Sequence, residues 1–457
     1  MVKRILVATS ALSAVPFAYP SSVQAADPLV LSIGGFAEYY MVVRTQKPLN
    51  NSREGTQQKA RGFSMYWEDA EIWFSAATQL DNGVTISYRL EMETRNGDQS
   101  GLPDNGDLEP TLSTTNRNLF RDQHRIAFAG GFGQVEIGDT DGAANSMQYA
   151  APWITKIGVV DGTDLLLNPT YYVNANLPGY GDIGNVGNAA GIGTKTGAFN
   201  RNNRINYFTP RVAPGFQFGI SYAPENGSTG RGGGGADGNA GPVQTEEDDG
   251  DFQNITELGI NFVRSMNGID VAWSLTGVYA QLEECTYAPA TLKGGDGAYQ
   301  GCSNISANVD RYIVHNGFQV SFAGWTIGAG ASVDNRGYKA GQGIAWEGNA
   351  GVTYAIGPWA VGIQGGYGET NKNYWKTHQP FNLGLYAGVD TKAAVALGGS
   401  YTIGPGIQLQ AEAQYIHWGN RRGLDSDDRQ DAALYELIDS RKRSHGLAFA
   451  LGTALAF

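Results

Sequence analysis

Short and long connections alternate along this chain without a break, and few folds tolerate that. Tight-turn signals stand at Asp81-Asn82-Gly83, Gly130-Gly131-Phe132-Gly133, 210–215, Asn267-Gly268, Ala323-Gly324, Gly357-Pro358 and Gly404-Pro405-Gly406. Asn-Gly and Gly-Pro pairs supply the positive or fixed φ that tight hairpins require. Between them run long polar stretches at about 44–62, 94–121, 139–203, 224–254, 281–311, 335–344, 368–390 and 418–444. Seven short and eight long connections join sixteen strands. A propeller would repeat at constant length, and no such period is present.

The intervening segments alternate with period two, as strands do. Phe216, Phe218, Ile220 and Tyr222 alternate with Gln217, Gly219 and Ser221. Ile407, Leu409, Ala411, Ala413 and Tyr415 alternate with Gln408, Gln410, Glu412 and Gln414. Val84, Ile86, Tyr88, Leu90 and Met92 alternate with Thr85, Ser87, Arg89, Glu91 and Glu93. The last eleven residues set Leu447, Phe449, Leu451, Thr453, Leu455 and Phe457 on one face and only alanine and glycine on the other. Something must lie close behind that small face. Segments of about 10 residues cross a bilayer when tilted. Hydrocarbon cannot satisfy a free strand edge, so the sheet must close. The expected fold is all-β: a transmembrane antiparallel β-barrel of sixteen strands, apolar outward and polar toward a wet lumen.

The address agrees. Lys3 and Arg4 precede an apolar run from Ile5 to Phe17, and Val23-Gln24-Ala25 offers small residues for cleavage after Ala25. Residues 1–25 are read as a signal peptide and 26–457 as the barrel. Without the leader, 30 basic residues face 44 acidic ones, a net of −14, which argues against nucleic acid and anionic lipid as partners. The chain holds 64 Gly and 23 Tyr, which suits many tight turns and interfacial aromatic girdles. Cys285 and Cys302 lie in one long connection, and export through an oxidising compartment makes an intraloop disulfide the expected state. Gly179-Tyr-Gly-Asp-Ile-Gly184 matches a dinucleotide fingerprint by letter, but no strand-to-helix unit surrounds it. No G-x-S-x-G or H-E-x-x-H occurs, and no enzyme activity is expected.

At Gly131-Phe-Gly-Gln-Val-Glu-Ile-Gly-Asp-Thr140 the chain resembles the Gram-negative general porin family, the sixteen-stranded trimeric type. The opening Leu31 to Glu38, the Leu80 to Val84 turn and the terminal Phe457 follow the same pattern. The resemblance implies a homotrimer and a Phe457 read by the barrel-assembly machinery. It also implies a third loop, 139–203, that folds inward as the constriction, with its acids facing basic side chains across the passage. Here that loop offers Asp139, Asp141, Asp161, Asp164 and Asp182, with Lys156 and Lys195 as counter-charges. Arg89, Arg125 and Arg204 are the wall candidates by inward phase.

The pattern departs from a simply basic wall, because Glu38, Glu71, Glu91, Glu93 and Glu136 also fall on the inward phase. Rings of carboxylates favour cations. The expected function is passive diffusion of ions and small hydrophilic solutes through the Gram-negative outer membrane, with weak cation selectivity. Alternatives are a substrate-specific porin, hinted at by inward Phe36, Tyr40 and Trp73, and a surface receptor or adhesin barrel. No cofactor is expected beyond a calcium ion at acidic loops such as Glu246 to Asp251, where it could bridge lipopolysaccharide.

Overall fold

A computed structural model describes residues 28–47, 49–51, 56–58, 61–94, 119–155, 157, 165–166, 202–225, 252–282, 309–335, 337, 344–371, 389–421 and 444–457. The leader, Cys285, Cys302 and the acidic run at 246–251 lie outside the described residues.

The strands in chain order are β1 (Val30–Gln46), β2 (Leu49–Asn51), β3 (Thr56–Gln58), β4 (Phe63–Gln79), β5 (Thr85–Thr94), β6 (Leu119–Gly130) and β7 (Gly133–Thr140). After a short helix, α1 (Ala143–Ser146), come β8 (Asn202–Phe208), β9 (Phe216–Glu225), β10 (Phe252–Met266), β11 (Ile269–Leu282) and β12 (Arg311–Phe322). The chain ends with β13 (Trp325–Asp334), β14 (Ala345–Ile356), β15 (Trp359–Asn371), β16 (Val389–Gly404), β17 (Ile407–Arg421) and β18 (Ser444–Ala456). Each barrel strand pairs antiparallel with its sequence neighbours, and β1 closes the ring against β18 from Phe36↔Ala456 to Gln46↔Gly446. Sixteen strands form the wall; β2 and β3 make a separate ribbon within the first long connection.

All seven tight turns fall between consecutive strands as the turn chemistry requires. Asn267 (φ 51°) and Gly268 (φ 82°) both adopt the left-handed region that a type I′ turn demands. Two features differ from the sequence expectation. β1 and β4 are 17 residues long rather than about 10, and β10, β16 and β17 reach 15, 16 and 15. The α1 turn carries no helical periodicity of its own; its shape comes from contacts described below.

The outer surface is apolar and open: Leu31, Phe218, Ile363, Leu397, Phe449 and Leu451 are all exposed. Aromatics ring it at two heights. Near the tight turns Trp325 packs on Tyr354 and Trp359 on Tyr401, each with centroids 4.5 Å apart. Near the long connections Tyr279 meets Tyr312 at 5.3 Å and Trp346 meets Tyr367 at 5.5 Å. Trp346 and Tyr354 are eight residues apart on β14, roughly 26 Å of strand before tilt, which suits two interfacial girdles flanking an apolar band. Phe457 continues the outer face, its carbonyl accepting from Gly35 N at 2.9 Å.

Candidate functional site

Alternation places Ser221, Glu257, Ser274, Gln319, Asn349, Glu412 and Gln414 on the inner face, opposite the exposed apolar row. The chain that leaves β7 meets these residues one strand after another. Ala143 N donates to Ser221 Oγ of β9 (2.6 Å) and Ala144 N to Glu257 Oε2 of β10 (2.9 Å). Tyr149 N donates to Ser274 Oγ of β11 (2.8 Å), and Gln319 Nε2 of β12 donates to Ala150 O (2.9 Å). Ala151 N then reaches Asn349 Oδ1 of β14 (2.9 Å), Thr155 Oγ1 reaches Glu412 of β17, and Leu165 N reaches Gln414 Oε1 of the same strand (3.2 Å). An irregular segment against a wall must find partners for its main-chain N–H groups. The inward hydroxyls, amides and carboxylates supply them, at roughly 1 kcal/mol net per bond.

Small inward residues make the space. A Cβ on Gly317 would overlap the carbonyl oxygen of Tyr149. One on Gly330 would stand 3.2 Å from Ala150 Cβ, one on Gly362 3.1 Å from Ile154 Cγ1, and one on Gly446 2.9 Å from Leu166 Cδ1. The far end is held differently. Ile157, Leu165 and Leu166 are buried with Val42, Ala394, Ala396, Ile416, Trp418, Ala448 and Ala450. The small face of the last strand thus lies beneath this apolar cluster; burying each of the three loop side chains contributes roughly 2 kcal/mol.

The near end is fastened by charge. Arg204 and Glu257 form an ion pair with side chains 0% and 1% accessible, and Glu257 also caps Ala144 N. A Cβ on Gly142 would collide with both partners, so the segment passes over them only as glycine. Asn206 Nδ2 ties this corner together, donating to Glu136 Oε2 (3.0 Å) and to Asp141 O (2.9 Å).

The inner faces of β1, β4 and β5 are bulky and charged instead. Arg89 lies 2.5 Å from Glu91 and stacks over the Trp73 ring, its Cζ 4.4 Å from the centroid. Trp73 Nε1 donates to Glu71 Oε2 (2.6 Å), and Phe36 packs against Trp73 at 5.7 Å. On β6, Arg125 is 3.4 Å from Glu136 and donates to Thr140 Oγ1 at 3.1 Å.

Several expected pore-lining residues therefore have other positions. Arg204 is buried with Glu257 beneath the segment, its side chain 0% accessible. Asp139 is 3% exposed and Glu136 5%. Asp141 is partly buried beside Asn206. Arg89, Arg125 and Glu91 stand on the inner wall in ion pairs, with Arg89 the most open at 33% of its side chain. Tyr40 is withdrawn, its hydroxyl donating to Gln410 Oε1 (2.9 Å), which shortens the aromatic row to Phe36 and Trp73. Asp161, Asp164, Asp182, Lys156, Lys195 and the side chain of Glu93 lie outside the described residues. Sequence reasoning missed Glu257, whose only local signal was its inward phase between outward neighbours. Glu412 and Gln414 were read correctly as inward, but not as hydrogen-bond anchors.

The sequence matches the family described as Gram-negative porin over residues 8–420. No curated protein matches it. A loop L8 deletion mutant of OmpT, an outer membrane protein of Vibrio cholerae, has a similar fold (TM-score 0.53, 9% identity, covering 94% of this chain and 100% of that one). The trimer form of in-vitro folded OmpT aligns with TM-score 0.50 and 11% identity over 94% of this chain and 100% of its own. The outer membrane channel DcaP of Acinetobacter baumannii aligns with TM-score 0.50 and 11% identity over 96% and 100%. At these identities the likeness is one of fold. With a closed sixteen-stranded wall, an apolar belt between aromatic girdles and a family match across most of its length, the chain belongs to the Gram-negative porin family and is an outer-membrane β-barrel channel.

Proposed function

We propose that this channel passes ions and small hydrophilic solutes by passive diffusion, with weak preference for cations, and works as a homotrimer. In this reading residues 139–203 form the constriction, and the passage runs between that loop and the inner faces of β1, β4 and β5. The observation that carries it is the line of loop contacts along β9 to β17, which leaves the charged wall on the other side. On that wall Arg89 is matched by Glu91, and on the neighbouring β6 and β7 Arg125 is matched by the buried Glu136. Glu71 adds a further carboxylate to the same surface, with Glu38 buried below it beside the Tyr40 hydroxyl. A permeating ion therefore meets excess negative charge, and rings of carboxylates favour cations. The trimer form reported for OmpT supports a trimeric assembly here.

The reading is tested by planar-bilayer recording of the purified protein under a KCl gradient. Conductance steps in groups of three, with a reversal potential favouring K⁺, are expected. A potential favouring Cl⁻ would refute the selectivity, and silence at all voltages would refute the open channel.

A further inference from the structure

We infer that the inner wall at Phe36, Glu71, Trp73, Arg89 and Glu91 is a solute-binding station, suited to a zwitterion that carries a ring: an α-amino acid with an aromatic side chain. The inference rests on the channel reading above and names a solute class for it.

Three adjacent strands bring these residues together. Register pairs Gly34 with Trp73, Phe36 with Glu71, Trp73 with Glu91 and Ser75 with Arg89, and all five side chains of the station share the inward phase. The cluster is pre-built. The indole N–H is fixed on Glu71 at 2.6 Å, one ring face carries the Arg89 guanidinium at 4.4 Å, and Phe36 packs at 5.7 Å. An arginine stacked on an indole gives up less side-chain freedom on binding than a free one, since its planar fork is already oriented. It nonetheless keeps a third of its side chain accessible on the inner wall.

Such a surface offers three things side by side. The guanidinium fork matches a carboxylate, Glu71 matches an ammonium, and Phe36 with Trp73 matches an apolar ring. A purely diffusive wall has no use for half-buried aromatics on its inner face, which bind water poorly. A simple cation filter has no use for an exposed guanidinium. Charge complementarity also excludes the single ions: a carboxylate alone meets Glu71 and Glu91, and an ammonium alone meets Arg89. A molecule bearing both charges satisfies both.

The test measures block of K⁺ current through the reconstituted full-length channel by phenylalanine, alanine, benzoate and benzylammonium at neutral pH. Phenylalanine is expected to interrupt the current at concentrations at which the other three do not. Trp73→Leu or Phe36→Leu should weaken that block about threefold to tenfold, the scale of one aromatic contact. Arg89→Gln should leave benzylammonium the stronger blocker. Phe74→Leu, on the lipid face beside the station, serves as the control for folding and should keep the wild-type block. Equal block by all four solutes, or block by benzoate or benzylammonium alone in the wild type, overturns the inference while leaving the channel reading intact. Absence of any K⁺ current in the wild type overturns the channel reading, and this inference with it.

Discussion

From β9 to β18 the inner wall carries many glycine, alanine, serine and amide side chains under a layer of loop, with Glu257, Glu347, Lys392 and Glu412 buried among them, whereas β1, β4 and β5 carry Phe36, Glu38, Glu71, Trp73, Arg89 and Glu91. Both stretches belong to one sheet with one pleat and one outward apolar rule, so their difference is not a matter of strand propensity. It reflects what each must face. A wall that accepts a main chain needs small residues for distance and hydrogen-bonding groups for the chain's N–H donors. A wall that faces water needs neither, and can carry large charged side chains in ion pairs. Inward glycines thus mark where the loop passes closest to the wall.

The comparison breaks hardest at the near fastener. Arg204→Leu leaves Glu257 buried without its countercharge and should cost about 3–5 kcal/mol. Guanidinium unfolding of the detergent-solubilised barrel would register it, and adding Glu257→Leu should recover most of the loss. A single mutant as stable as the parent would mean the pair holds nothing.

Next comes the apolar end. Leu166→Ala empties a packed position against Gly446 and should cost about 2–5 kcal/mol in loop anchoring. Excess open-channel noise and faster proteolysis near residue 166 are the expected readouts, with quiet wild-type current the contrary result.

Glycines sharpen the contrast between faces. Gly317→Ala forces the Tyr149 carbonyl away and should destabilise by about 1–3 kcal/mol. Gly348→Ala, with its nearest neighbour 3.7 Å from the new Cβ, should stay within about 0.5 kcal/mol. Paired thermal melts would show whether inward and outward glycines differ as this requires.

The smallest effect belongs to the charged wall. Glu71→Gln should lower the K⁺ preference by about twofold in dilute salt and hardly at all at 1 M, where the screening length falls to about 3 Å. Reversal potentials at the two salt levels measure it; a preference that ignores both salt and Glu71 would place the selectivity elsewhere.

Much of the barrel was legible in the sequence because its signals are local. Asn267-Gly268 dictates its turn whatever the rest of the chain does, and the alternation from Ile407 to Tyr415 assigns faces without knowing any partner. The loop's path was not legible for the opposite reason. Ala143 meets Ser221 78 residues on, and Leu165 meets Gln414 249 residues on. Gly317 and Gly330 look like ordinary strand glycines until Tyr149 and Ala150 are seen beside them. Arg204 reads as an inward charge and Glu257 shares that phase, yet β9 stands between their strands, and no spacing rule pairs them. The alanines and glycines of β18 did announce that something lies close behind, but not that Leu166 and its neighbours would supply it.

The division of the lumen can be measured directly with two cysteines in a Cys285→Ser, Cys302→Ser background. Ser75→Cys places a thiol on the charged wall opposite Arg89, and Ala396→Cys places one in the apolar cluster beneath the loop, where Ala396 is 1% exposed. A charged thiosulfonate reagent added during bilayer recording should reduce the current of the Ser75→Cys channel within seconds and leave the Ala396→Cys channel unchanged. Rapid modification of Ala396→Cys, with Ser75→Cys inert, would contradict the account by placing the passage on the side assigned to the loop.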